Sequence, residues 1–346
     1  MSLNQDHLRT SAGFERSDEG GAGKVWVSRF MKPRRLRAAA PFLVLVALCV
    51  LIGLANPNFI EFRNLVRIAN SAAVPLTLAM GLTFIVLLGS IDLSIEGAVS
   101  VAAMVLVLLA QNDSNASNLG WVAVVAAVGA SAAMGLASGL IQTMLRIPSF
   151  MATLGTWFIG LGFSVYMLGG SAVRLMDPSL RALALTRVFE FPIAVWIALS
   201  ICLVAFVIQM FTPLGRHIVA VGGGEDIAEL SGINLRFVRI AAFTLAGIFY
   251  GVAGVLAAAQ LGQSNAVIGD GRLFAAVTAV VVGGTALTGG EGGVVNSIIG
   301  VLIVTVLSNG MILLGVSPYV QQTVQGLMII AAVALSLDRT RLTIVK

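Results

Sequence analysis

The chain reads as a series of long apolar stretches separated by short polar interruptions. They fall at about 38–55, 68–89, 95–111, 119–145, 150–170, 191–211, 240–260, 273–288, 294–314 and 320–337. The apolar runs are continuous rather than alternating, which predicts helices and not barrel strands. A helix needs about 20 apolar residues to cross the hydrocarbon core. The third and eighth stretches are short and predict re-entrant or broken elements. The expected fold class is all-α: a polytopic membrane protein with about ten transmembrane helices, some broken or re-entrant.

Composition strengthens this. Hydrophobic residues make up 58% of the 346 and charged residues 11%, with a mean hydropathy of +0.97. A soluble fold of this length needs a polar skin, and 21 basic plus 16 acidic side chains are too few to make one. Ten spans leave no room for a sizeable soluble domain. Cys49 and Cys202 lie inside apolar runs and read as small hydrophobes, with no disulfide framework implied.

Charge sets the orientation. Residues 1–37 hold eight basic and four acidic side chains, and Lys24, Arg29, Lys32, Arg34, Arg35 and Arg37 cluster without an acid. This reads as a disordered, basic cytoplasmic tail that lies against membrane lipid, not as a nucleic-acid-binding arm. The apolar run after it is expected to be the first span and not a cleaved signal, despite Gly53-Leu54-Ala55. Sorting every Lys and Arg across ten spans places fifteen on the N-terminal side and six opposite. Both termini are therefore expected in the cytoplasm, with 38–338 as the transmembrane domain and 339–346 as a second cytoplasmic tail.

Two connections are long. Residues 171–190 are expected outside, where Arg174, Arg181 and Arg187 either make specific contacts or anchor at headgroups. Residues 212–239 are expected inside. There Gly222-Gly223-Gly224 should break the chain, and Glu225–Leu230 should form one or two helical turns with its acids at the favourable end. Ser231-Gly232-Ile233-Asn234 should end that helix as a glycine C-cap. Such a segment is either a solvated connector or a docking surface.

Polar groups at membrane depth gather at helix breaks. Residues 89–96, GSIDLSIE, include two carboxylates. Each costs about 2.5–3.5 kcal/mol at mid-helix, so they should face a cavity or partner. Asp92 is expected to N-cap the third segment with Glu96 in its first turn, which is compatible with a broken helix beside a pathway. Residues 283–293, GGTALTGGEGG, resemble this element, either as an internal repeat or by chance in a Gly-rich chain. Gly135 and Gly139, with Gly247, Gly251 and Gly254, predict close-packed helix faces. Ser131, Ser138, Gln142, Thr153 and Thr156 should bond between helices or line a polar path. No phosphate-binding G-x-x-x-x-G-K-[ST], H-E-x-x-H, Cys/His cluster or G-x-S-x-G occurs. No catalysis, cofactor or metal is expected.

Gly89-Ser90-Ile91-Asp92-Leu93-Ser94 resembles the G-G-I-D-L-S signature of ribose/simple-sugar-type ABC importer permeases. Residues 146–156, RIPSFMATLGT, are similar to that family's I-P-x-F-I-A-T-L-G-T. Gly169-Gly170, Leu214-Gly215-Arg216, Ala220 to Gly224, Ser231 to Asn234, Val282 to Thr285 and Leu313 to Ser317 match in order, so the resemblance covers about 40–337. Ser90 replaces the second glycine, Glu96 stands where glycine is usual, as in nucleoside-type permeases, and Glu291 lies where a basic residue is commoner. The resemblance implies a non-enzymatic permease subunit of the cell inner membrane that translocates a simple sugar or related small polar solute, with a nucleoside as the alternative. It implies pairing with a second permease copy or paralogue, a cytoplasmic ABC ATPase, and an extracytoplasmic substrate-binding protein that delivers the solute. Gly222, Gly223, Glu225, Ser231 and Gly232 would couple to the ATPase, and Asp92, Ser94 and Thr156 would serve the pathway or its gate. The rival class, a self-contained ion-coupled transporter or channel, would need intramembrane charge, and only Asp92, Glu96 and Glu291 are available.

Overall fold

The computed structural model describes residues 33–336, so most of the predicted N-terminal tail and all of 339–346 lie outside the described residues. The chain divides into two compact units, 1–39 and 40–346. Of the first, only the opening turns of α1 (Pro33–Ala55) are described. The helix starts on Pro33, within the predicted tail, where a missing N–H costs nothing.

A short 3₁₀ turn (Pro57–Ile60) leads into α2 (Phe62–Leu87), which is followed by α3 (Ile95–Leu109), α4 (Trp121–Leu145) and α5 (Ser149–Leu168). The 171–190 connection is folded: β1 (Val173–Arg174), α6 (Pro178–Leu185) and β2 (Arg187–Val188), followed by β3 (Phe191–Pro192). Asp177 starts α6 by accepting from Ser179 N and Leu180 N. Next come α7 (Ile193–Phe211), α8 (Pro213–Gly223), α9 (Glu225–Leu230) and α10 (Leu235–Leu261), then β4 (Gln263–Ser264), α11 (Arg272–Val282), α12 (Val294–Leu313) and α13 (Pro318–Ser336). The strands form two antiparallel clips, with Val173 opposite Ser264 and Val188 opposite Phe191.

Each of the ten predicted apolar stretches coincides with a helix, and the two short ones are α3 and α11, of 15 and 11 residues. Among the described residues, six helices, α2, α4, α5, α7, α10 and α12, are long and apolar enough to cross a membrane. Hydropathy does not say which are enclosed. The most apolar window of α7 has hydropathy 2.5 and is 33% buried, whereas that of α2 has 1.7 and is 83% buried. In hydrocarbon an apolar face gains nothing by meeting another helix rather than lipid.

Burial follows small residues and polar pairs instead. A Cβ on Gly135 of α4 would overlap the Phe243 carbonyl, and one on Gly247 of α10 would stand 2.6 Å from the Ser131 carbonyl oxygen. Gly139 and Gly251 continue this contact, and Gly254 turns α10 against α3 at Val99 and Ala102. The predicted glycine faces are thus where α10 packs. Ser131 Oγ donates to the Gly247 carbonyl at 2.7 Å. Asn64 and Asn309 exchange two bonds of 2.9 and 3.0 Å between α2 and α12, and Gln260 donates to Asn70 between α10 and α2.

Candidate functional site

The link from α2 to α3 is unwound, and its backbone amides find side-chain partners on α5. Residues 91–93 have no regular secondary structure and run along the start of α5. Ile91 N donates to Ser149 Oγ and Leu93 N to Thr153 Oγ1, both at 3.0 Å. Alternate amides of this link thus meet hydroxyls one turn apart on the helix. Asp92, 2% exposed, accepts from Ser94 N at 2.8 Å and Ser94 Oγ at 2.6 Å, with the Tyr250 hydroxyl of α10 beside it.

Asp92 is not the N-cap of α3. That position is Ser94, which makes no side-chain capping bond, and Asp92 lies two residues upstream with its carboxylate engaged by Ser94. Glu96 does lie in the first turn, 5% exposed, but its Oε1 accepts Leu273 N at 3.2 Å and so satisfies the start of α11. One carboxylate serves two helix N-termini.

The second break, 283–293, is satisfied partly from within and partly from α7. Gln209 of α7 accepts Val294 N at 2.8 Å, and Thr285 Oγ1 accepts Gly293 N at 3.2 Å, so α12 starts from borrowed caps. Thr83 of α2 donates to Ser297 Oγ at 2.6 Å. The two breaks touch: Gly290 N donates to the Leu87 carbonyl at 2.9 Å.

Between α7 and α10 the chain forms a hook. The predicted break at Gly222-Gly223-Gly224 is confined to Gly224, because α8 runs from Pro213 through Gly223. Thr212 accepts from Gly215 N and Pro213 occupies the first helical position, a start signal present in the sequence but not read there. After α9, Gly232 N bonds to the Glu229 carbonyl and Ile233 N to that of Ala228, with Gly232 at φ 81°. This is the Schellman form of the expected glycine cap. Glu225 pairs with Arg239 of α10, the single ion pair among the described residues.

A family model described as "Branched-chain amino acid transport system / permease component" matches residues 64–333. The chain is 35% identical over 296 residues to the ribose import permease protein RbsC of Escherichia coli K12, covering 84% of this chain and 91% of that protein. It is 31% identical over 317 residues to the galactose/methyl galactoside import permease protein MglC of the same organism, covering 87% and 94%. The probable ABC transporter permease protein YphD is 33% identical over 300 residues, covering 87% and 89%. The chain belongs to the ribose/simple-sugar-type ABC importer permease family. No solved structure matches it.

In the permease, Asp92, Ser94 and Thr156 occupy one buried neighbourhood. Thr156 Oγ1 bonds Ser138 of α4 at 2.8 Å and the Thr153 carbonyl at 3.1 Å, tying α5 to α4 one turn beyond the Leu93 contact at Thr153. Gly222 lies against the end of α2 and against the second break, and Gly223 against the second break alone, while Glu225, Ser231 and Gly232 lie further along the hook. Exposed Ile227 and Leu230, at 72% and 90%, crown α9. A pit of about 990 Å³ beside α9 is lined by Arg146, Glu225, Glu229, Arg236 and Arg239 among others. At the other end of α7, a cleft of about 720 Å³ is lined by Arg63, Arg67, Asn70, Arg187 and Glu190. The neighbouring hairpin tip holds Phe189 and Glu190 at φ 49° and 68°. This conformation costs a non-glycine residue about 1–2 kcal/mol.

Ser149 and Gln209 serve the breaks without belonging to any helix-cap or catalytic motif of the sequence. Gln209 is an isolated amide near the end of an otherwise apolar run, and that was the available signal.

Proposed function

We propose that the permease imports a simple sugar of the ribose or galactose kind, working with a second permease copy, a cytoplasmic ATPase that hydrolyses the ATP, and an extracytoplasmic binding protein. One observation carries the substrate class: the likeness to import permeases named for ribose and galactose extends over most of the chain. In this reading the chain crosses the inner membrane about ten times with both termini cytoplasmic. The ten helices on apolar stretches and the fifteen-to-six bias of Lys and Arg support it.

The hook then faces the cytoplasm. Ile227 and Leu230, one turn apart on α9, offer an apolar contact for the ATPase beside the charged pit, with Gly222, Gly223, Glu225, Ser231 and Gly232 as the coupling residues. The cleft with three arginines and one glutamate faces outward, where it suits acidic side chains of the binding protein. Asp92, Ser94 and Thr156 serve the gate as positioning residues by fixing the unwound link. Glu96, engaged on α11, gives no ground for preferring a nucleoside. The buried carboxylates are occupied by structural bonds, which leaves an ion-driven reading without support.

The test is uptake into proteoliposomes that hold the permease, its ATPase and its binding protein. ATP-dependent accumulation of radiolabelled ribose or galactose is expected. Accumulation by the chain alone under an ion gradient would overturn the assignment.

A further inference from the structure

Three backbone segments remote in sequence meet where the hook reaches the breaks: 87–89, 222–223 and 289–290. A Cβ on Gly222 would overlap the Leu87 carbonyl oxygen and stand 2.7 Å from Gly290 N. One on Gly289 would stand 2.8 Å from both the Gly222 carbonyl oxygen and Gly89 N, and one on Gly290 would stand 2.7 Å from Gly223 Cα. No side chain separates the three strands of backbone. Gly89, Gly289 and Gly290 hold φ of 75°, 88° and 74°, a region that glycine enters freely.

We propose that Gly222 and Gly290 form a rigid joint through which displacement of the hook moves both broken helices together. The proposal rests on the coupling role assigned to the hook above. A contact made through side chains yields by rotamer adjustment, at about 0.5–1.5 kcal/mol for a 30° change. Backbone packed on backbone has no such freedom, so a push on α8 is passed to the end of α2 and to the turn before α12. The Gly290–Leu87 hydrogen bond locks the two breaks to each other, and the glycines beside it let the flanking chain swing. Gly222 and Gly290 are positioning residues in this scheme and touch no solute.

The test uses the assembled transporter with ribose or galactose, whichever the wild type accumulates. Gly222→Ala should still co-purify with the ATPase, while the sugar imported per ATP hydrolysed falls at least tenfold, whatever the rate of hydrolysis. Gly129→Ala, in open space on α4, should leave both unchanged. Sugar imported per ATP by Gly222→Ala within twofold of wild type would overturn the joint. Should that variant fail to assemble, hydrogen exchange on the wild-type complex decides. Addition of ATP and vanadate should change protection of 87–90, 213–223 and 286–291 together, and a change confined to 213–223 would refute the joint. A wild-type chain that recruits no ATPase instead sinks the coupling role itself.

Discussion

Replacing Thr153 by valine isolates what the unwound link costs to hold. The two side chains have nearly the same shape, so packing changes little, but valine offers no acceptor to Leu93 N. That part-buried amide lies between an Asx-type bond at Ser94 and a clip at Ser149, so the link has little freedom to turn it elsewhere. Leaving a buried donor unpaired costs about 1–3 kcal/mol. Thr156→Val is the matched comparison. It removes one hydroxyl pair, and Ser138 Oγ retains the Met134 carbonyl at 3.1 Å, so the loss should be near the average of about 0.6 kcal/mol for polar pairs between membrane helices. Thr153→Ser keeps the acceptor and should cost less than Thr153→Val. Equilibrium unfolding of the permease in lipid–detergent micelles measures all three. Equal losses for Thr153→Val and Thr156→Val, or a loss below about 0.5 kcal/mol for the first, would refute the clip as the source of the link's stability.

Four further outcomes follow from particular contacts. Gly135→Ala should destabilise by about 1–3 kcal/mol because its Cβ meets the Phe243 backbone, whereas Gly129→Ala should be neutral or stabilising by up to about 1 kcal/mol, both read by the same unfolding assay. Asp92→Asn keeps an acceptor for Ser94 and should retain uptake within about threefold, whereas a proton- or ion-coupling carboxylate would lose it entirely. Ile227→Asp with Leu230→Asp should cut ATPase co-purification at least tenfold without lowering the unfolding midpoint, since both side chains are exposed. Arg67→Glu should raise the apparent KM for binding-protein-delivered sugar at low salt, with the difference shrinking as salt screens the outer cleft; an unchanged KM at low salt would remove that cleft from the docking surface.

The sequence by itself determined the class of the protein and the places where its helices lie. Hydrocarbon selects residue by residue for apolar length, so the ten stretches, including the short α3 and α11, were legible as local patterns. The helix-spaced glycines of α4 and α10 were legible for the same reason, and so was the cap at Gly232. What only the tertiary structure decided is which segments meet. Glu96 satisfies Leu273, Gln209 starts α12, and Leu87 receives Gly290, each across a long stretch of sequence with no shared local signal. Asp92 stands before a helix, which predicts a cap, yet its carboxylate is held by Ser94. Burial was equally hidden: apolar residues face lipid and protein alike, and close approach is set by small residues and hydrogen bonds on the partner. The two breaks were visible as glycine-rich interruptions, but that they touch each other and the end of α8 is a property of the folded bundle alone.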